Sequence, residues 1–272
     1  MPPPRLIFDD LSPPGEELRL VAQSVFNLFP SWDVRAFGEV DSTNAEARRL
    51  TLLMGGDAWP RVLLTDFQSA GRGRHGRAWQ APAGTSLLVT VMIPLALVRY
   101  TRTLMPLAYA CWLTEGLESL GVPDVAVKWP NDVLVRGQKV AGILCETAGE
   151  ALVAGLGVNL TQSRLELPER AAHEPQATSL ALELGPEFPG RLAASLSLLN
   201  AVLASIEHPP GPDWILQAYR RRCVTFGTSV ACRNSRQQTV AGIARDIDPT
   251  GALLVEVEGC KTVAVTEVIE PV

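Results

Sequence analysis

Gly71 to Arg77 reads Gly-Arg-Gly-Arg-His-Gly-Arg, three arginines and three glycines in seven positions, with Gln68 before it and Trp79 after. Glycines let backbone amides come close to an anion, and each guanidinium offers a planar fork of donors that matches carboxylate or phosphate oxygens. The plainer alternatives are a solvated flexible loop or an arginine–glycine contact to nucleic acid; the position between two apolar segments favours a ligand-binding loop. Downstream, Val127-Lys128-Trp129-Pro130-Asn131-Asp132 sets a cation, an aromatic ring, an amide and a carboxylate around a proline that interrupts strand pairing. Lys139-Val140-Ala141-Gly142-Ile143-Leu144 brings a second ammonium to the start of the next apolar run, near enough for both lysines to reach one anion. Gly155-Leu156-Gly157-Val158-Asn159 alternates glycines within a strand, which weakens it unless a ligand or another backbone must pass close by. Taken one at a time, these signals have ordinary explanations: a strand-end lysine, a hairpin lysine at 139, a bulge at Gly142, close packing at 155 and 157.

Composition narrows the field. Only three of the 24 basic residues are lysine (Lys128, Lys139, Lys261), and two of them fall in the stretch 128–139, where a compact ammonium rather than a fork is in use. The net charge of −5 argues against a chain devoted to gripping nucleic acid, which needs a basic field over the binding face. The five cysteines (Cys111, Cys145, Cys223, Cys232, Cys260) are scattered with no CxxC pair, so free thiols are expected. His75, His173 and His208 are too dispersed for a metal site, and no Ser-His-Asp grouping is evident. No apolar run spans a bilayer, and Met1-Pro2-Pro3-Pro4-Arg5 does not open a signal peptide, so a cytoplasmic protein without membrane contact is expected.

These residues need a scaffold. Leu18 to Phe29 has helical periodicity within an otherwise proline-rich start. Thr43 and Glu46 have capping-box spacing ahead of a helix running to about Met54. Arg61–Phe67 and Thr85–Ile93 read as strands, and Leu104–Leu120 as a helix closed by Gly121. Val125–Lys128, Asp132–Arg136, Lys139–Glu146 and Ala151–Leu160 follow as strands, with hairpin turns expected at Gly137-Gln138 and Ala148-Gly149. Residues 161–176 are polar and aperiodic, which suggests a mobile surface loop. Helices are expected over Pro189–Glu207 and Pro212–Arg222. From Val224 the pattern becomes short strands (Ser229–Arg233, Gln238–Asp246, Ala252–Val257, Lys261–Thr266), a small β-barrel. The expectation is an α/β (α+β) chain with a mixed, largely antiparallel sheet over 1–223, residues 1–35 being an extension of open role, and a second domain over 224–272.

Taken together and in order, Ser42-Thr43-Asn44, Gly71–Arg77, Lys128–Asp132, Lys139–Leu144 and Gly155–Asn159 resemble the biotin–protein ligase family. The resemblance is dense over about 36–160 and looser through Ala177-Thr178-Ser179-Leu180 to the barrel. It implies a fold related to class II aminoacyl-tRNA synthetases followed by an SH3-like domain. It also implies ATP and Mg²⁺ as cofactors and a biotin carboxyl carrier protein as partner. By that likeness Ser42, Thr43, Gln68 and the backbone at Gly142 bind the ureido ring of biotin, with Asn44 and Gly71 also in the biotin site. Arg72 and Lys139 meet its carboxylate, while Leu144, Gly155 and Gly157 wall the pocket. Arg74, Arg77 and Lys128 hold the ATP phosphates; Asn131, Asp132 and Asn159 orient nucleotide or Mg²⁺, the latter near Asp132; Trp79 lies by the adenylate. Arg72, Lys128 and Lys139 are the expected catalytic cations. His75 is given no role. Some members carry an N-terminal winged helix that binds operator DNA; residues 1–35 are too short and proline-rich for one, so no repressor function is expected. A lipoate–protein ligase-like acyl-adenylate transferase and, from another class, a nucleic-acid-binding module are the competing readings. Dimerisation through a sheet edge is left open.

Overall fold

The computed structural model describes residues 3–53, 60–171, 174–234, 239–257 and 261–270. Met54, His173 and Cys260 lie outside them. An eight-stranded sheet is built from β1 (Leu6–Phe8), β2 (Asp33–Val40), β3 (Arg61–Gln68), β4 (Ser86–Pro94), β5 (Val125–Lys128), β6 (Asp132–Val135), β7 (Gln138–Ala148) and β8 (Ala151–Asn159), in the order β1-β2-β3-β4-β8-β7-β6-β5. β1, β2 and β3 run parallel and every later pairing is antiparallel, so the sheet is mixed as expected.

The two faces of this sheet differ because strand side chains alternate. On β4, Leu87, Val89, Val91 and Ile93 enter the main core, which also takes residues of α1 (Glu16–Leu28), α3 (Met105–Ser119), α5 (Arg191–Glu207) and α6 (Pro212–Arg222). Met92, on the opposite face, joins Leu63, Val153 and Ala151 in a smaller cluster under Ala47 and Leu50 of α2 (Thr43–Leu53). A single short helix covers only part of that face. The strand register places Leu88, Gly157, Gly142, Asp132 and Lys128 in one row across it, and Thr90, Gly155 and Leu144 in the next.

The smaller unit is a closed barrel of β9 (Ser229–Asn234), β10 (Thr239–Ile247), β11 (Leu253–Val257) and β12 (Lys261–Glu270), in the order β10-β11-β12-β9. It is tied to the sheet through Trp129. The backbone N–H of Trp129 donates to Thr225 Oγ1 at 2.9 Å and its indole N–H to the Gly251 carbonyl at 3.0 Å.

Several local expectations are corrected. No capping box forms at Thr43: its hydroxyl and N–H both donate to Gln68 Oε1, and the Glu46 carboxylate takes Arg49 instead. The two hairpin turns sit one residue away from their expected places, at Arg136-Gly137 and Gly149-Glu150, because β6 pairs with β7 at Val135 and Gln138, and β7 with β8 at Ala148 and Ala151. Arg136 and Gly137 both have positive φ, the geometry of a two-residue hairpin loop. Strands β1 and β2 had no sequence signal. Residues 3–35 are part of the domain: β1 pairs with β2, and α1 buries Leu18, Val21, Ala22 and Val25. Residues 161–176 are not wholly surface, since Gln162 is buried and donates to Ser86 Oγ at 2.6 Å. The short helix α4 (Leu180–Leu184), capped by Ser179, was also unanticipated.

Candidate active site

The uncovered part of the sheet face is the floor of a cleft of about 430 Å³, within the roughly 300–1,000 Å³ range of small-molecule sites. Its walls are the segment after Gln68, the Lys128–Asp132 turn, the start of β7 and part of the loop after β8. Of the residues singled out from sequence, Ser42, Thr43, Asn44, Gln68, Arg72, Arg74, Arg77, Trp79, Lys128, Asn131, Asp132, Lys139, Gly142, Leu144, Gly155 and Gly157 line it; Gly71 and Asn159 do not.

The arginine loop has a defined shape. Arg72 and Ala78 form an isolated antiparallel bridge, the Gly73 N–H donates to the Arg77 carbonyl at 2.7 Å, and the Trp79 N–H to the Gly71 carbonyl at 2.9 Å. Arg74–Gly76 makes a tight turn at the tip, with His75 and Gly76 at positive φ. Gly71 permits this closure, because a Cβ there would lie 2.3 Å from the Trp79 carbonyl oxygen. The loop returns Trp79 across the strand glycines. A Cβ on Gly157 would meet the indole Cε2 at 2.5 Å, and one on Gly142 would meet Cζ3 at 3.0 Å. Gly157 and Gly142 therefore make room for an aromatic plate, with Lys139 Nζ 5.8 Å from its ring centre. The indole N–H is buried with no hydrogen-bond partner among the described residues, a donor facing a site rather than a settled core.

At the polar end Gln68 Oε1 accepts from the Thr43 N–H (2.8 Å) and hydroxyl (3.1 Å), which leaves its NH₂ as the group available to a ligand. Both amide protons of Asn44 are engaged: its NH₂ donates to the Leu144 carbonyl (3.2 Å) and Glu146 (2.9 Å), and Thr90 Oγ1 lies 2.7 Å from its Oδ1. A Cβ on Gly155 would fall 2.4 Å from that Oδ1, so this glycine admits Asn44. Asn44 thus fixes the helix start against the sheet while still lining the cleft. Glu146, unnoticed in sequence, also pairs with Arg48 at 3.2 Å and lies 3.9 Å from Arg72.

At the opposite end Lys139 Nζ is 2.6 Å from Asp132 Oδ1. That pairing engages one oxygen of the carboxylate that was expected near Mg²⁺, and among the described residues no cluster of His, Cys, Asp or Glu could hold a metal by itself. Lys128 is half-buried; burial lowers its pKa, offset in part by Asp132 and Glu174. The Asn131 NH₂ donates to the Ile143 carbonyl at 2.7 Å, bracing the turn that contains the cis Trp129–Pro130 peptide. Asn159 acts from behind: it donates to the Thr178 carbonyl (3.0 Å), the Thr178 N–H donates to the Lys139 carbonyl (2.9 Å), and the Lys139 N–H to the Gln176 carbonyl (2.7 Å). Asn159 positions the strand that carries Lys139 and does not face the cleft, so its expected contact with nucleotide is corrected. The loop after β8 contributes Pro168, Glu169, Arg170, Glu174 and Pro175 to the walls, none of which the sequence pattern marked.

Residues 40–162 match the model of the biotin/lipoate A/B protein ligase family. The chain is 37% identical over 273 residues to a biotin–[acetyl-CoA-carboxylase] ligase of Mycobacterium tuberculosis, covering 95% of this chain and 96% of that one. It is 36% identical over 228 residues to the enzyme of the same name from Paracoccus denitrificans, covering 79% and 90%. In fold it resembles the biotin protein ligase of Aquifex aeolicus, solved with biotin and ATP, at a TM-score of 0.69 and 22% identity, over 86% of this chain and 97% of that one. A relative at this identity over nearly the whole of both chains, matched by the arginine loop, the paired lysines and the glycine-floored cleft, places this chain in the biotin–protein ligase family.

Proposed function

We propose that this chain joins biotin to a lysine of a biotin carboxyl carrier protein or domain in two steps, through biotinyl-5′-AMP. The observation that carries the proposal is the cleft itself: a hydrogen-bonding end at Thr43 and Gln68, an aromatic plate in the middle, and the two lysines at the far end. A polar ring, a flexible chain and a carboxylate meeting a polyphosphate need those three zones in that order.

In the first step a biotin carboxylate oxygen bonds to the α-phosphorus of ATP, the bond to the β-phosphate bridging oxygen breaks, and pyrophosphate leaves. Two anions must approach, so positive charge fixed in advance at Arg72, Lys128 and Lys139 lowers the barrier, each such contact being worth roughly 10²–10³ in rate. Arg74 and Arg77 bind the phosphates from the loop, and Mg²⁺ enters as the counter-ion of ATP. In the second step the deprotonated carrier amine attacks the acyl carbon and AMP departs; no enzyme nucleophile is needed. The arginine loop covers the mixed anhydride and keeps water from it. Thr43, Gln68 and the Gly142 backbone serve the ureido ring, with Ser42 beside them.

In this reading residues 1–223 form the catalytic unit and 224–272 a smaller domain linked to the site by Trp129. The enzyme works in the cytoplasm without a nucleic-acid partner, in keeping with its net charge of −5. A purified acetyl-CoA carboxylase carrier domain should be labelled by this protein with ATP and biotin at one lysine. Labelling that persists when that lysine is changed to arginine, or that requires lipoate in place of biotin, would overturn the proposal.

A further inference from the structure

Three cations meet at the phosphate end of the cleft, from three separate segments: Lys128 at the end of β5, Arg77 at the base of the arginine loop, and Arg170 in the loop after β8. Glu174 stands between the two arginines. Its Oε1 lies 2.6 Å from Arg77 Nη1 and its Oε2 3.0 Å from Arg170 Nη2, so one carboxylate bridges two guanidiniums from opposite walls. Two forks converging on one small oxyanion is the arrangement by which arginines bind phosphate. Arg170 is turned inward: its side chain is 18% exposed, and its Nε is buried with no partner among the described residues. Glu169 also lines this end but is exposed and outside the bridge. Beyond its burial, the Lys128 ammonium is held by Asp132 and Glu174 and opposed by Arg170 and Lys139, so these groups share one electrostatic neighbourhood at this end of the cleft. Glu174 alone leaves this end with an excess of positive charge and an unused donor.

We propose that Arg170 is a further polyphosphate-binding residue of this enzyme, and that Glu174 is a built-in competitor that occupies Arg77 and Arg170 until phosphate oxygens displace it. The inference rests on the ligase reading above and adds to it a residue pair that the family motifs do not contain. When phosphates enter, each arginine exchanges a carboxylate oxygen for a phosphate oxygen, and the Glu174 side chain turns away from them. The competitor lowers apparent affinity by the fraction of time it holds the arginines.

The two residues therefore have effects of opposite sign. Arg170→Ala should weaken inorganic pyrophosphate binding, measured by calorimetry on the full-length protein, and raise the KM for ATP by roughly tenfold, the loss expected for one charge-assisted hydrogen bond. Glu174→Gln should tighten pyrophosphate and lower the KM for ATP several-fold, while the KM for biotin stays constant in both variants. Arg170→Lys, which keeps charge without the fork, should recover part of the affinity, and thermal melting of each variant distinguishes a lost contact from a damaged fold. If both substitutions weaken phosphate binding, Glu174 merely scaffolds the arginines and the proposal is wrong; if neither changes it, Arg170 is no ligand. Wild-type protein that binds pyrophosphate but forms no adenylate from biotin and ATP would overturn the ligase reading instead, a failure visible without either variant.

Discussion

Replacing Lys139 with alanine separates what this ammonium does for the fold from what it does for the reaction. Its Nζ is 2.6 Å from Asp132 Oδ1, with the two side chains 13% and 17% exposed. Breaking a fully buried ion pair by removing one partner costs about 3–5 kcal/mol, and the water that still reaches both groups reduces this to about 2 kcal/mol. The melting temperature should fall by roughly 5 °C, within the usual scaling for a chain of this size. The chemical loss should be larger, because the ammonium acts where negative charge gathers: adenylate formation slows by roughly 10²–10³. The double variant Lys139→Ala/Asp132→Asn removes the stranded carboxylate, so it should regain most of the lost stability and none of the lost rate. Calorimetric melting and single-turnover formation of biotinyl-adenylate read the two quantities independently. Unchanged adenylation in Lys139→Ala would remove this residue from the chemistry, and recovery of rate in the double variant would mean that Lys139 serves only to neutralise Asp132.

Three further outcomes test other parts of the site. In Gly157→Ala the new methyl would sit 2.5 Å from the Trp79 indole, and displacing the ring should raise the KM for biotin by roughly tenfold, the lower end of an overpacking cost, with a smaller effect on ATP; an unchanged value would mean that Trp79 does not shape the biotin subsite. In Arg74→Ala the loop loses a cation that faces the cleft, so biotinyl-adenylate should escape faster and label exposed lysines of bystander proteins, and a native release rate measured by stopped flow would count against the covering role. Burial lowers the pKa of Lys128, so this side chain is charged at low pH and loses its proton, and its hold on phosphate, on the alkaline side sooner than a free lysine would. The alkaline fall of kcat/KM for ATP should move to higher pH in Lys128→Arg, whose guanidinium stays protonated; an identical profile would assign the fall to another group.

Legibility in the sequence followed the residues whose chemistry is unusual for their surroundings. Arginines packed between glycines, two of only three lysines in one stretch, and glycines inside an apolar strand pattern marked residues that the fold gathers on the face of the sheet that α2 leaves open. What sequence could not supply was side-chain destination. Asn44 and Asn159 stand inside two of the five blocks that carry the family resemblance, yet both spend their amides inside the protein, one against Glu146 and Leu144 and the other on Thr178. Their register relative to distant segments decides this, and no local pattern carries it. Strand β2 escaped notice because charged and small residues at Arg35, Gly38 and Glu39 break its alternation, while the N-terminal segment that covers it is proline-rich. The Ser12 carbonyl accepts from the Gly38 N–H at 2.7 Å, a contact between segments that neither shows alone. Arg170 and Glu174 were hidden for a similar reason. A polar, aperiodic stretch looks like solvated loop until the fold brings it over the cleft. The misplaced hairpin turns are smaller errors of the same kind: Arg136 adopts positive φ because strand pairing demands it there, against its own preference.

Biotinyl-adenylate formation without any carrier tests the central claim most directly. The protein would be incubated with biotin, Mg²⁺ and ATP labelled at the α-phosphate, and the products separated. The account predicts labelled biotinyl-AMP with release of one pyrophosphate per adenylate, held by the enzyme until a carrier lysine is added. Adenylate formed from lipoate but not from biotin would contradict the substrate assignment while leaving the acyl-adenylate chemistry in place, and no adenylate from either acid would contradict the activity itself.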